Sequence, residues 1–147
     1  MYKLSEILLD VLEEMEFLTR TLNSAQLYYA DISEALSAII KETKMCVLNA
    51  TLDLAIDLNH KINHQIDKSD FTEKIAKNLN EAAQNLQHFP KKNKIASFAN
   101  VELELAGLID FIQEYSLSSH HLIKELSAEE KKLLINKTLA IKSRRTI

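Results

Sequence analysis

The residues best spaced to do chemistry are Asp53, Asp57, His60, His64 and Asp67. Steps of four, three, four and three put two imidazoles and three carboxylates on one strip of a helix. Two His at i and i+4 can chelate zinc, copper or iron, and a carboxylate three or four residues away can complete the ligand set. Asp57, His60 and His64 are therefore the candidate metal ligands. Against this, the strip lies roughly opposite Leu48, Leu52, Ala55, Ile62 and Ile66, so a simple bundle would turn it toward solvent as a wetted polar face. Di-iron bundles project Glu and Glu-x-x-His ligands inward from several helices, and the chain has no Glu-x-x-His. His88, His120 and His121 would add to the case only if folding brought them near His60.

Other chemistry has less support. With Gly107 as the only glycine, neither a Gly-rich phosphate loop nor a Gly-x-Ser-x-Gly elbow can be built. Cys46 stands alone, so it forms no disulfide within the chain and reads as an inert thiol in a reducing cytoplasm. Glu13/Glu14 and Glu129/Glu130 sit at helix-surface or capping positions. Tyr28 and Tyr29 lack the interleaved bases that nucleic-acid stacking requires. The expectation is a non-enzymatic protein with no cofactor and no small-molecule substrate.

Two resemblances can be tied to particular residues. The run Asn59-His60-Lys61-Ile62-Asn63-His64 resembles the phosphoacceptor box of one class of histidine-kinase dimerisation helices, which implies His60 as phosphoacceptor. It covers six residues, and no ATP-binding segment follows. The first sixty residues, with a long leading helix and Lys44 ahead of Val47, Leu48 and Leu52, are generically similar to flagellar export chaperones. That likeness is one of helical periodicity, with no specific motif behind it.

The elements that would position these residues are helices. Among 147 residues there is one Gly and one Pro (Pro90), and 46% are apolar; average usage would give roughly ten and seven of the turn-formers. Without residues that take positive or preset φ, strands cannot be turned, and a Leu-, Ala-, Glu- and Lys-rich chain runs in helices. From Leu8 an apolar seam repeats in steps of three and four: Leu8, Val11, Met15, Leu18, Leu22, Ala25, Tyr29, Ile32, Leu36, Ile39. Past Ile39 that register turns polar, so either the chain turns between about Ile40 and Asn49, the reading preferred, or one very long helix meets different neighbours at its two ends. Asp70 with Glu73 has the form of a capping box opening a helix to about His88. Phe89 to Asn93, around Pro90, reads as a loop. Ile95, Phe98, Val101, Leu105, Leu108, Ile112 and Tyr115 form a further stripe, within which Gly107 suggests a close helix approach. Ser116 to Ser119 loosens that pattern. Ser127 with Glu130 is a second capping box, and the last helix frays into a basic tail, 143–147.

The fold class is thus all-α: one domain over 1–147, an antiparallel helical bundle of about five helices with a long coiled-coil-like N-terminal helix. Residues 1–60 carry ten acids and four bases, whereas from Lys131 onward there are six bases and no acid. A solvated acidic face and a basic helix end account for both, and nucleic acid is disfavoured as a partner. Nothing approaches the ~18 apolar residues of a membrane span, nor does the N-terminus, with Glu6 and Asp10, read as a signal peptide. A seam from Leu8 to Ile39 would span about 45 Å, more than a compact bundle of this size can cover. Leu8, Val11, Met15, Leu18 and Leu22 are therefore expected to bind a partner, another protein or a second copy. The function expected is protein–protein interaction in the cytoplasm, as adaptor, chaperone, inhibitor or immunity protein, or assembly subunit. The alternative is a metal-binding or histidine-phosphotransfer bundle centred on His60 and His64.

Overall fold

The computed structural model describes residues 4–64, 71–93 and 96–145. They form five α-helices and no strand: α1 Leu4–Ala30, α2 Glu34–His64, α3 Phe71–Gln87, α4 Ala96–Lys124 and α5 Ala128–Arg145, with a 3₁₀ turn at Lys91–Asn93. The all-α reading and the long N-terminal helix stand. Consecutive helices α1 to α4 pack on one another in turn, and α5 crosses to α2 with a smaller contact on α1. This makes α2, the longest helix, the wall shared by most of the others. No helix among the described residues is long and apolar enough to cross a membrane.

The first turn falls earlier than the sequence pattern suggests. The chain reverses at residues 31–33, where Ile32 and Ser33 donate their N–H groups to the Tyr29 carbonyl at 3.0 and 2.9 Å. The Ser33 hydroxyl then caps α2, accepting from the Leu36 N–H at 3.4 Å. No turn exists between Ile40 and Asn49, and α2 runs straight through. The apparent continuity past Ala30 was a coincidence of phase: Ile32 is 60% exposed, and Leu36 and Ile39 are only partly buried. The apparent break after Ile39 arose because α2 buries polar side chains. Its inner face is Ile40, Thr43, Val47, Ala50, Leu54, Asp57 and Lys61, all buried, in unbroken steps of three and four. Thr43 and Thr51 fit there because each hydroxyl returns to a carbonyl four residues back, at Ile39 and Val47, at 2.8 Å.

The seam of α1 also needs correcting. None of Leu8, Val11, Met15, Leu18 and Leu22 is more than 8% exposed. With α1 ending at Ala30, the buried seam runs only from Leu8 to Tyr29, about 32 Å. The 31-residue α2 is long enough to cover it. These five residues belong to the chain's own core and offer no open surface to a partner.

The remaining boundaries follow the sequence closely. The Asp70 half of the first capping box lies outside the described residues, but α3 runs to Gln87 and buries Ile75, Leu79, Ala82 and Leu86. At the second box, the Glu130 N–H donates to the Ser127 hydroxyl and the Ser127 N–H to the Glu130 carboxylate, both at 3.2 Å. α4 continues through Ser116–Ser119 without a break. Gly107 is not a point of close approach: a Cβ there would meet nothing within 4 Å.

Candidate functional site

The polar strip of α2 is divided by the fold. Asp57, placed toward solvent by the sequence pattern, is completely buried. Its Oδ2 sits 2.9 Å from Lys61 Nζ, one turn along the same helix. The same oxygen accepts the Tyr115 hydroxyl of α4 at 2.5 Å. Lys61 Nζ also lies 4.7 Å from the centre of the Tyr115 ring, a cation–π geometry. The two ionic side chains are 4% and 0% exposed. A lone buried charge would be strongly disfavoured, so each ion here is held by the other and by the phenol. Burial, the Asp57 carboxylate and the hydrogen bond to it hold the Tyr115 phenol well above its ordinary range. Tyr115 is therefore a neutral donor at any physiological pH.

The two histidines are elsewhere. His60 is half-buried and His64, the last residue of α2, is exposed. Their rings meet edge to face at 5.7 Å, and His60 makes a second edge contact with Phe71 at 5.8 Å. Asp53 accepts a hydrogen bond from Asn78 of α3 at 3.3 Å, and Asp67 lies outside the described residues. The expected trio of Asp57, His60 and His64 does not converge, because the Asp57 carboxylate is turned inward to Lys61 and Tyr115. Among the described residues no group of three or more His, Cys, Asp or Glu is placed to hold a metal. His88, one residue past the end of α3, is occupied elsewhere; its Nδ1 lies 2.7 Å from the Gln84 carbonyl in the last turn of that helix.

The polar character of this end of the bundle extends to α5. Asn59 donates to the Thr138 hydroxyl at 3.2 Å, and that hydroxyl donates to the Ile135 carbonyl at 2.9 Å. Asn63 donates to Asn59 at 2.6 Å. Asn59, Lys61 and Asn63, three residues of the phosphoacceptor-like run, are thus engaged within the fold.

Cys46 is half-buried, with Sγ 3.8 Å from Glu81 Oε2. It lines a groove of about 570 Å³ between α2 and α3, together with Lys41, Met45 and Gln84. Burial pushes the thiol up, and Glu81 and Glu42 push it further, so it stays protonated and weakly nucleophilic at neutral pH.

The surface offers a feature the seam argument passed over. Asp10, Glu14, Phe17, Thr21 and Tyr28 lie within about 60° of one another around α1, at ~100° per residue, with Ile7 at the margin. Phe17 and Tyr28 are 55% and 59% exposed. Tyr28 is braced from behind, edge to face at 5.1 Å on Tyr29. The sequence signal was present, since these residues lie off the apolar register, but off-register aromatics are ordinarily read as partly covered edges.

Compared with models of protein families, with curated proteins and with solved structures, the chain finds no match.

Proposed function

We propose that this chain is a non-enzymatic, protein-binding helical bundle of the cytoplasm, an adaptor, chaperone, inhibitor or assembly subunit that works through its outer surface. The observation that carries this reading is the outer strip of α1. Large apolar side chains scattered singly on a surface need no explanation, and Leu103 on α4 or Leu133 on α5 are of that kind. Ile7, Phe17 and Tyr28 differ in sharing one side of one helix, spread over about 32 Å. Aromatic side chains with few rotors, already held by a rigid helix, make good interface anchors because little freedom is lost when they are covered. The polar cluster of the interior supports the same reading from the other direction, since its ions are consumed in holding helices together.

The test is affinity capture from native lysate with the chain as bait, beside a Phe17→Ser/Tyr28→Ser double variant whose helix content is checked by circular dichroism. The expected result is a partner, another protein or a second copy, whose recovery falls about tenfold with the variant, equivalent to roughly 1.4 kcal/mol. Identical recovery by the folded variant and the parent would remove the strip from consideration.

A further inference from the structure

We infer that His60 and His64 together form a two-ligand site for a late transition-metal ion, Cu2+ above all others. The three-residue set expected from the spacing fails because Asp57 is turned inward, but the two imidazoles stay together without it. They stand four residues apart on one side of α2, the spacing at which two helical histidines can ligate one ion. Their ring centres are 5.7 Å apart. With metal–nitrogen bonds of ~2.0–2.1 Å, an ion stands roughly 3 Å from each ring centre, so rings up to about 6 Å apart can share it.

Neither ring is committed elsewhere. Among the described residues, His60 and His64 make no hydrogen bond and no ion pair, so their nitrogens are open to an ion. The His60 ring is half-buried and braced by its edge contact with Phe71, the first residue of α3. His64 is exposed, which leaves its ring free to turn a nitrogen toward a shared ion. Most of the ordering cost of binding therefore falls on one side chain.

The ligand set selects the metal. Mg2+ and Ca2+ require oxygen ligands, and the acids of the same helical strip are engaged: Asp57 with Lys61 and Tyr115, and Asp53 with Asn78. Imidazole nitrogen suits Cu2+, Ni2+ and Zn2+, and of these Cu2+ binds a given nitrogen and oxygen set most tightly. Two histidines supply two positions of a tetragonal Cu2+ site, and water fills the rest. The inference is independent of the protein-binding reading, which turns on α1.

The probe is Cu2+ alone, titrated into the intact chain in a non-coordinating buffer and followed by calorimetry and electron paramagnetic resonance. One ion per chain is expected, with hyperfine splitting from two nitrogens, undisturbed by excess Mg2+ or Ca2+. His60→Ala and His64→Ala are each expected to lower affinity about tenfold or more, because either change leaves a single-point ligand. The double change adds little to either, since the chelate is already lost. His64 is exposed, so its variant keeps the fold, which circular dichroism checks. His88→Ala and Phe17→Ser/Tyr28→Ser are expected to bind Cu2+ as the parent does. Absence of stoichiometric binding, a signature of fewer than two nitrogens, unchanged affinity in folded His64→Ala, or an equal loss with His88→Ala would each overturn the inference. Binding that survives His60→Ala/His64→Ala and disappears with His120→Ala/His121→Ala would place the ion elsewhere and overturn it as well. Each of these failures leaves the protein-binding reading standing, because that reading is tested at Phe17 and Tyr28.

Discussion

The two ends of the bundle solve the same packing problem with opposite chemistry. Where α1 ends and α4 begins, Tyr29, Phe89 and Phe98 pack ring to ring, with centres 5.4 Å apart for Tyr29–Phe89, 5.1 Å for Phe89–Phe98 and 6.3 Å for Tyr29–Phe98. Toward the far end of α2, the helices are joined through Asp57, Lys61 and Tyr115 and through Asn59 and Thr138. The aromatic end gains from area removed from water, a term that depends little on direction. The polar end gains less net stability for its volume, but an ion pair and a phenol satisfy one another only in a single arrangement of α2 against α4. The difference teaches that the aromatic end can be repacked, whereas the polar end must be kept whole or replaced whole.

The largest effect tests that contrast directly. Asp57→Asn takes away the carboxylate 2.9 Å from the buried Lys61 ammonium and is expected to cost about 3–5 kcal/mol in urea unfolding. The triple change Asp57→Leu/Lys61→Met/Tyr115→Phe removes every charge and is expected to recover most of that loss. A triple variant no more stable than Asp57→Asn would show that the cluster contributes net stability and is more than a pairing device.

Tyr115→Phe is next, at about 1.5–3 kcal/mol, the usual range for a hydrogen bond to a charged group. It also carries a pH signature. Folding raises the Tyr115 pKa, so the folded state binds the phenolic proton more tightly than the unfolded state does. Its contribution is complete below the unfolded value near pH 10 and is lost as pH rises from there toward the folded value. Thermal melts between pH 8 and 11 should therefore show a steeper alkaline decline in the parent than in Tyr115→Phe. Parallel declines would mean that the phenol is not buried against Asp57.

The smallest effect belongs to the aromatic end. Phe98→Leu keeps an apolar side chain of similar bulk and loses the ring contacts, for an expected cost of about 1 kcal/mol by the same unfolding measurement. A loss equal to that of Asp57→Asn would erase the distinction between the two ends.

How far the fold could be read varied with the source of the signal. The Ser127–Glu130 capping box was legible because its partners are three residues apart and the hydrogen bonds follow from local geometry. The turn at 31–33 was not, because it uses a serine cap without Gly or Pro and happens to preserve the heptad phase of Ile32, Leu36 and Ile39. The candidate site was misread for a related reason. Asp57 and Lys61 look like surface residues to any periodicity argument, and the residue that makes their burial tolerable, Tyr115, lies 58 positions away on α4. Nothing near Asp57 in the sequence announces it.

By itself the sequence determined that this chain is helical, where its last helix starts, and which residues of α1 are apolar on one side. Helix formation and capping are decided within a few residues by backbone hydrogen bonding and side-chain reach. Only the tertiary structure decided what those faces meet. It closed the Leu8–Leu22 seam inside the chain, drew Asp57 away from His60 and His64, and left Phe17 and Tyr28 outside. Burial is a property of the whole packing, so a side chain's spacing fixes its direction but not its neighbour.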